Sequence, residues 1–155
     1  MNEPGDGWTG LHATALIVGE RGLLLRGPAG SGKSGLALAL IAGAREMATF
    51  AALIGDDRVF LRVQAGRLLA RGAPGFAGMI ERRGEGVVTV RHAESAVVRL
   101  VADLAARGAT IARIPGEGEA FVEVLGVRVA RVRLDPGHGP LDHAYAAMER
   151  LARLS

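Results

Sequence analysis

Lys33 is the only lysine among 19 basic residues, so the other 18 are arginines. It stands in "GPAGSGKS", residues 27–34, which fits G-x-x-x-x-G-K-[ST] through Gly27, Gly32, Lys33 and Ser34. Each residue type there has a chemical reason. Glycines let the backbone curl until successive N–H groups point at phosphate oxygens, so Gly27, Pro28, Ala29, Gly30, Ser31 and Gly32 form a cradle. A helix opening directly behind the loop adds its positive dipole end. Lysine is a flexible point charge that reaches β- and γ-phosphates, where arginine's planar fork does not fit. The Ser34 hydroxyl suits Mg²⁺. The pattern points to a nucleotide-phosphate site with Mg²⁺ beside it.

About twenty residues further on, "LIGDDRV" (53–59) sets Asp56 and Asp57 at the end of an apolar run. At the phosphate edge of a sheet, one carboxylate could hold Mg²⁺ and the other could take a proton from an attacking hydroxyl. A plain turn after a strand also favours aspartate, but the phosphate loop upstream favours the chemical reading. Guanine selectivity by N-K-x-D is excluded, because Asn2 is the only asparagine and Lys33 is already used. Gln64, the sole glutamine, falls in a hairpin turn rather than beside a nucleophilic water.

The elements that must position these groups follow from periodicity. "HATALIVG" (12–19) and "GLLLRG" (22–27) read as neighbouring strands, and 32–47 as the helix opened by the loop. Residues 48–57 read as a buried strand, 58–71 as a hairpin, 72–79 as loop and 86–92 as a strand. The run 95–108 fits strand or helix equally, 121–134 is β-rich with a break at Gly126, and 141–154 is an amphipathic helix with Tyr145, Met148 and Leu151 on one face. The expectation is a single α/β domain over 1–155, with a mixed β-sheet and residues 1–11 mobile.

The composition narrows the setting. A chain of 155 residues, 49% hydrophobic, buries a core without staples. It has no cysteine, which removes disulfides, thiol catalysis and cysteine-ligated metals and suits a reducing cytoplasm. Scattered arginines without interleaved aromatics argue against nucleic acid, and no apolar run is long enough to span a membrane.

Three motifs in order, "GPAGSGKS", "GDDRV" and "IERRGEGVVTV", with His12 in "HATALIVG" 15 residues before Gly27, resemble the catalytic domain of HPr kinase/phosphorylase. The likeness runs from about residue 12 to 135. It implies a phosphoenolpyruvate carboxykinase-like P-loop fold and an enzyme that phosphorylates a serine of the phosphocarrier HPr or its nitrogen-branch paralogue with ATP. Inorganic phosphate reverses that reaction in the family, releasing pyrophosphate, and family members are typically hexamers. The resemblance gives Lys33 the phosphates, Ser34 and Glu81 the Mg²⁺, Asp57 the role of base, and His12 a place beside the phosphates. It makes Arg113 the catalytic arginine of a mobile loop. Asp56 is read as the further Mg²⁺ ligand. Only 11 residues precede His12, which matches a short form without the family's N-terminal domain. Glu85 stands where the signature is apolar, and Gly35 where a glutamate is usual. Gly84 and Gly86 would let backbone approach the site closely.

Two other readings stay in view, a nucleotide-sensing regulator without phosphotransfer and a small-molecule P-loop kinase. "HGPLDH" offers His138, Asp142 and His143 as a metal set, although turn and helix-start residues explain it as well.

Overall fold

The computed structural model describes residue 5 and residues 7–106, 108, 118–135 and 137–154. The two apolar runs ahead of the phosphate loop form β2 (Thr14–Val18) and β3 (Arg21–Arg26), an antiparallel hairpin turning through Gly19 at φ 63°. After α1 (Lys33–Glu46), β4 (Ala51–Gly55) returns antiparallel to β2 on its other side. The strand at the centre is β9 (Ser95–Leu104), parallel to β3 and to β11 (Val127–Leu134). Strands β3, β4, β9 and β11 therefore run the same way, and their C-terminal ends share one edge. In such sheets, that edge is where ligands bind.

The rest of the sheet is antiparallel. The hairpin of β5 (Val59–Gln64) and β6 (Arg67–Gly72) turns through Ala65 and Gly66, both at positive φ, and β6 pairs with the start of β9. A similar turn at Leu125 and Gly126 joins β10 (Phe121–Val124) to β11. Residues 9–11, expected to be mobile, instead form β1 (Thr9–Leu11) against Val59–Leu61, while the neighbouring Trp8 ring lies 5.8 Å from the Arg62 guanidinium. Among the described residues, nine strands make one mixed sheet, and β7 (Met79–Arg82) and β8 (Gly86–Thr89) make a separate two-stranded flap.

The sheet separates two apolar cores. Along β2 and β3, Leu16, Val18, Leu23 and Leu25 face the helices, while Ala15 and Leu24 face the concave side lined by β5 and β6. This is the period of two expected of a strand buried on both faces. In β9 the period breaks. Ala96 and Val98 face the concave core, Leu100, Ala102 and Leu104 face the helices, and the register against β3 slips between Gly22–Val98 and Leu23–Leu100. One extra residue, a bulge at Arg99, flips the faces, which is why 95–104 has no clean period in the sequence.

The curl of the sheet brings β4 against β6. A Cβ on Gly72 would strike the carbonyl oxygen of Ile54, and one on Gly55 would come within 3.0 Å of Gly72 Cα. The free edge of β4 is covered by residues 91–93, through Leu53 N–H to Arg91 O (2.9 Å) and Ala93 N–H to Leu53 O (2.9 Å).

Helix α2 (Pro140–Ala152) begins with proline at its first position, where the missing N–H is no loss. It buries His143, Ala144, Ala147 and Leu151. At its other end Arg21 donates to the carbonyls of Leu151 (2.6 Å) and Leu154 (3.1 Å), tying the start of β3 to the C-terminal turn of the helix. Of the expected stripe only Leu151 is core. Met148 packs against the core's margin and Tyr145 is 69% exposed.

Beneath the phosphate loop the last residue of β3, Arg26, makes a two-pronged ion pair with Asp103 of β9 (2.8 and 2.8 Å), and Arg131 of β11 reaches the same carboxylate at 2.6 Å. Burial, the largest single influence, pushes the Asp103 carboxyl up, but hydrogen bonds and charge from Arg26 and Arg131 outweigh it and hold the group below its usual range. The stabilisation is therefore present above the unfolded value, about pH 4, and is lost as pH falls through the lower folded value. Asp103→Asn should cost about 2 kcal/mol at neutral pH by leaving two guanidinium groups without a counter-charge. Urea denaturation across pH checks this. The gap to the parent protein should narrow as the pH falls below about 4, and a gap independent of pH would mean that the charge contributes nothing.

Candidate active site

The shared strand edge opens into a cleft of about 790 Å³. Its floor is the loop that leaves β3 at Gly27. Gly30 and Gly32 hold φ of 78° and 100°, conformations that side chains resist, and Gly32 starts α1 with no side-chain cap and no acidic residue in the first turn. The first helical bond runs from Leu36 N–H to Gly32 O (2.9 Å), so the amides ahead of it have no partner within the helix and are available to an anion. Ser31 Oγ is buried under the same loop with no hydrogen-bond partner among the described residues.

Lys33 is 7% exposed and donates to the carbonyls of Gly27 (2.7 Å) and Pro28 (3.1 Å). An ammonium has three donors, so one remains. Burial pushes the Lys33 pKa down, while the charges of Asp57 and then Asp56 act in the opposite direction. A desolvated ammonium with a spare donor at the mouth of a helix is well suited to phosphate oxygens.

The two aspartates behave differently, although the sequence presents them as equals. Asp56 is the hub. Its Oδ1 accepts from Ser34 Oγ and from Thr14 Oγ1, each at 2.8 Å, and its Oδ2 accepts from Glu81 N–H at 3.3 Å. Asp57 faces outward. It lies at φ 66°, flanked by an Arg58 N–H to Asp56 O bond of 2.7 Å, which is the signature of a γ-turn of the strained hand. Its carboxylate is 78% exposed and 3.2 Å from His12 Nδ1.

The structure thus brings His12, Gly30, Ser31, Gly32, Lys33, Ser34, Asp56, Asp57 and Glu81 around one cleft, with Ala29 at its rim. Arg113 lies outside the described residues. Gly84 and Gly86 turn the β7–β8 flap at φ 88° and 85° with nothing among the described residues within 4 Å of an added Cβ, so their need is the dihedral rather than a close approach. Gly35 sits against Pro140, 3.8 Å from an added Cβ. His138 and His143 line the cleft's far wall, but each turns to Asp135 instead of converging on a metal with Asp142. Among the described residues no group of three or more histidines or carboxylates could hold a metal alone. The Ser34 and Asp56 oxygens, with Glu81 alongside, fit Mg²⁺ because that ion takes one or two carboxylates and fills its octahedron with phosphate and water.

Sequence reasoning missed Thr14. The hydroxyl is fully buried and holds Asp56 from the strand side. Its signal was a lone polar residue in an apolar run; His12, two places before it, lies in the bend between β1 and β2. Thr14→Val, which keeps the shape and removes the donor, should destabilise the fold by about 1–2 kcal/mol, and Thr14→Ser by less than 1. Thermal denaturation of both variants checks it, and equal losses would show that methyl packing rather than the hydroxyl matters.

No family model matches the chain, and no curated protein does. Among solved structures, the HPr(Ser) kinase/phosphatase from Coxiella burnetii superposes with a TM-score of 0.68 over 93% of this chain and 97% of that one, at 23% identity. The fold is therefore that of an HPr(Ser) kinase/phosphatase, as the three sequence motifs led one to expect.

Proposed function

We propose that the chain is a cytoplasmic protein-serine kinase that uses ATP and Mg²⁺ to phosphorylate a serine of an HPr-type phosphocarrier or its nitrogen-branch paralogue, acting as a homo-oligomer. The observation that carries this reading is Asp57. It is an open carboxylate held in a strained turn, paired to His12 at 3.2 Å, at the same edge as a lysine-bearing phosphate loop. Strain of this kind persists where the surrounding structure demands it, and it concentrates at reacting centres.

In the proposed step the serine Oγ forms a bond to the γ-phosphorus as the bond from that phosphorus to the bridging oxygen breaks, and ADP leaves. Asp57 takes the serine proton, its open carboxylate standing 3.2 Å from the His12 ring that orients it. Lys33 and the α1 amides meet the charge on the phosphates. Mg²⁺ held by Ser34 and Asp56, with Glu81, would add neutralising charge between the phosphates. In the reverse direction, an oxygen of inorganic phosphate bonds to the phosphorus of the phosphoserine as its bond to the serine Oγ breaks, a protonated Asp57 gives its proton to that leaving oxygen, and pyrophosphate is the product.

Mass spectrometry of HPr and its paralogue after incubation with the protein, Mg²⁺ and ATP should show acid-stable phosphoserine on one carrier. Asp57→Asn should lower turnover about 10³-fold and leave ATP affinity unchanged, whereas Lys33→Ala should lose ATP affinity. Equal losses of affinity in the two variants would contradict the role of base. ATP binding with no carrier modified would favour a nucleotide sensor, and turnover of a small acceptor without any carrier would favour a small-molecule kinase.

A further inference from the structure

We infer that the outer face of the β5–β6 hairpin docks a partner protein through an extended acidic segment that presents an acid, an apolar residue and a second acid at alternate positions. This surface shares no residue with the lining of the cleft and does not depend on the reading of the chain as a kinase. From residue 58 to residue 80 the sequence has four arginines and neither aspartate nor glutamate. The fold puts all four on one side of the hairpin. Val59, Leu61, Leu68 and Ala70 belong to the concave core. Arg58, Phe60 and Arg62, and across the ladder Arg67, Leu69 and Arg71, therefore face away from it. Val97 of β9, opposite Leu69, continues the face. Arg62 is paired with Leu69, which leaves Arg67 and Arg71 at the two diagonal positions, so three guanidinium groups are neighbours. Among the described residues Arg71 meets Glu94 at 2.7 Å, while Arg62 and Arg67 have no carboxylate within ion-pair distance. Like charges side by side on a sheet destabilise it, and an acidic partner removes that cost.

The arginines stand on apolar ground. Phe60 is 1% exposed yet belongs to neither core, and the Arg58 guanidinium lies over its ring at 5.4 Å. Gly10 of β1 packs beside both. A Cβ there would come within 2.6 Å of Arg58 Nη2 and 3.3 Å of Phe60 Cε1. Leu69 and Val97 are half-buried and also lie outside both cores. At the β1 side the Arg62 guanidinium lies over the Trp8 ring at 5.8 Å. Two features select the occupant. Arg67, Leu69 and Arg71 alternate along one strand, and an extended chain matches them with acid, apolar, acid at i, i+2 and i+4, a span of about 13 Å. Arginine's planar fork takes a carboxylate through two parallel hydrogen bonds, and the apolar residue between the acids finds Leu69 and Val97. Phosphates would satisfy the arginines equally. A nucleic acid, however, is held by open rings on which its bases stack, and both rings of this face already carry a guanidinium.

The test titrates the full chain with a synthetic peptide repeating Glu-Ser-Val-Ser, followed by calorimetry and by the emission of Trp8, the only tryptophan, which reports from this face. The peptide should bind, less tightly as salt is added. Glutamine in place of its glutamates should weaken it at least about tenfold. Arg67→Gln should weaken the peptide about three- to fivefold, and Arg62→Gln combined with Arg67→Gln about tenfold, with ATP affinity unchanged in both. Lys33→Ala should do the opposite, weakening ATP and leaving the peptide alone. Circular dichroism confirms that the variants fold. No binding of the peptide at millimolar concentration, or equal affinity in the double variant, would overturn the inference. Tighter binding of oligothymidylate than of the peptide, lost in the same variants, would also overturn it and make the face a nucleic-acid surface.

Discussion

One carboxylate organises the site. Asp56 accepts hydrogen bonds from Thr14 on β2, Ser34 on α1 and the Glu81 amide on β7, while itself following directly on β4. Four elements that are remote in sequence are thereby referred to a single group. Hydrogen bonds to a charged acceptor are worth about 1.5–3 kcal/mol each, more than neutral ones. With both oxygens of Asp56 engaged, the backbone must reverse sharply if the next residue is to face the cleft. The left-handed turn at Asp57 is that reversal, and aspartate tolerates it better than most residues because its short side chain can bond locally.

The frame around this hub is built from close backbone approach and from charge. Gly55 and Gly72 allow the two flanks of the curled sheet to touch next to Asp56, which no side chain at either position would permit without movement. Asp103 gathers Arg26 and Arg131 from the strands on either side of β9, so the three parallel strand ends under the phosphate loop are tied together by ion pairs as well as by the ladder. Half-buried guanidinium groups are tolerable there because they share a counter-charge.

The phosphate loop was legible in the sequence because its demands are local: positive φ at two glycines, a helix at once, and a lysine within reach. The division of labour between Asp56 and Asp57 was open on the residues alone. It depends on a dihedral angle and on a partner 42 residues away, and neither is visible in a dipeptide. Strand β9 was ambiguous for a different reason. Its bulge reverses the apolar face halfway, so no single period fits, and only pairing with β3, β6 and β11 decides the matter. β1 escaped notice because its stability comes from Val59–Leu61, about fifty residues on. Tyr145 shows the limit of helical periodicity, since an apolar stripe fixes which residues share a face without saying how far round the core reaches.

The choice of arginine everywhere except position 33 has an effect on the molecule's proton inventory. Guanidinium groups keep their protons at any pH a folded protein survives, so the basic charge of the exterior is constant. The one side-chain ammonium is buried in the phosphate loop, where desolvation already favours its neutral form. Among the lysine and arginine side chains, the one that can give up its charge on the basic side of neutrality is thus the one placed where a phosphate would sit.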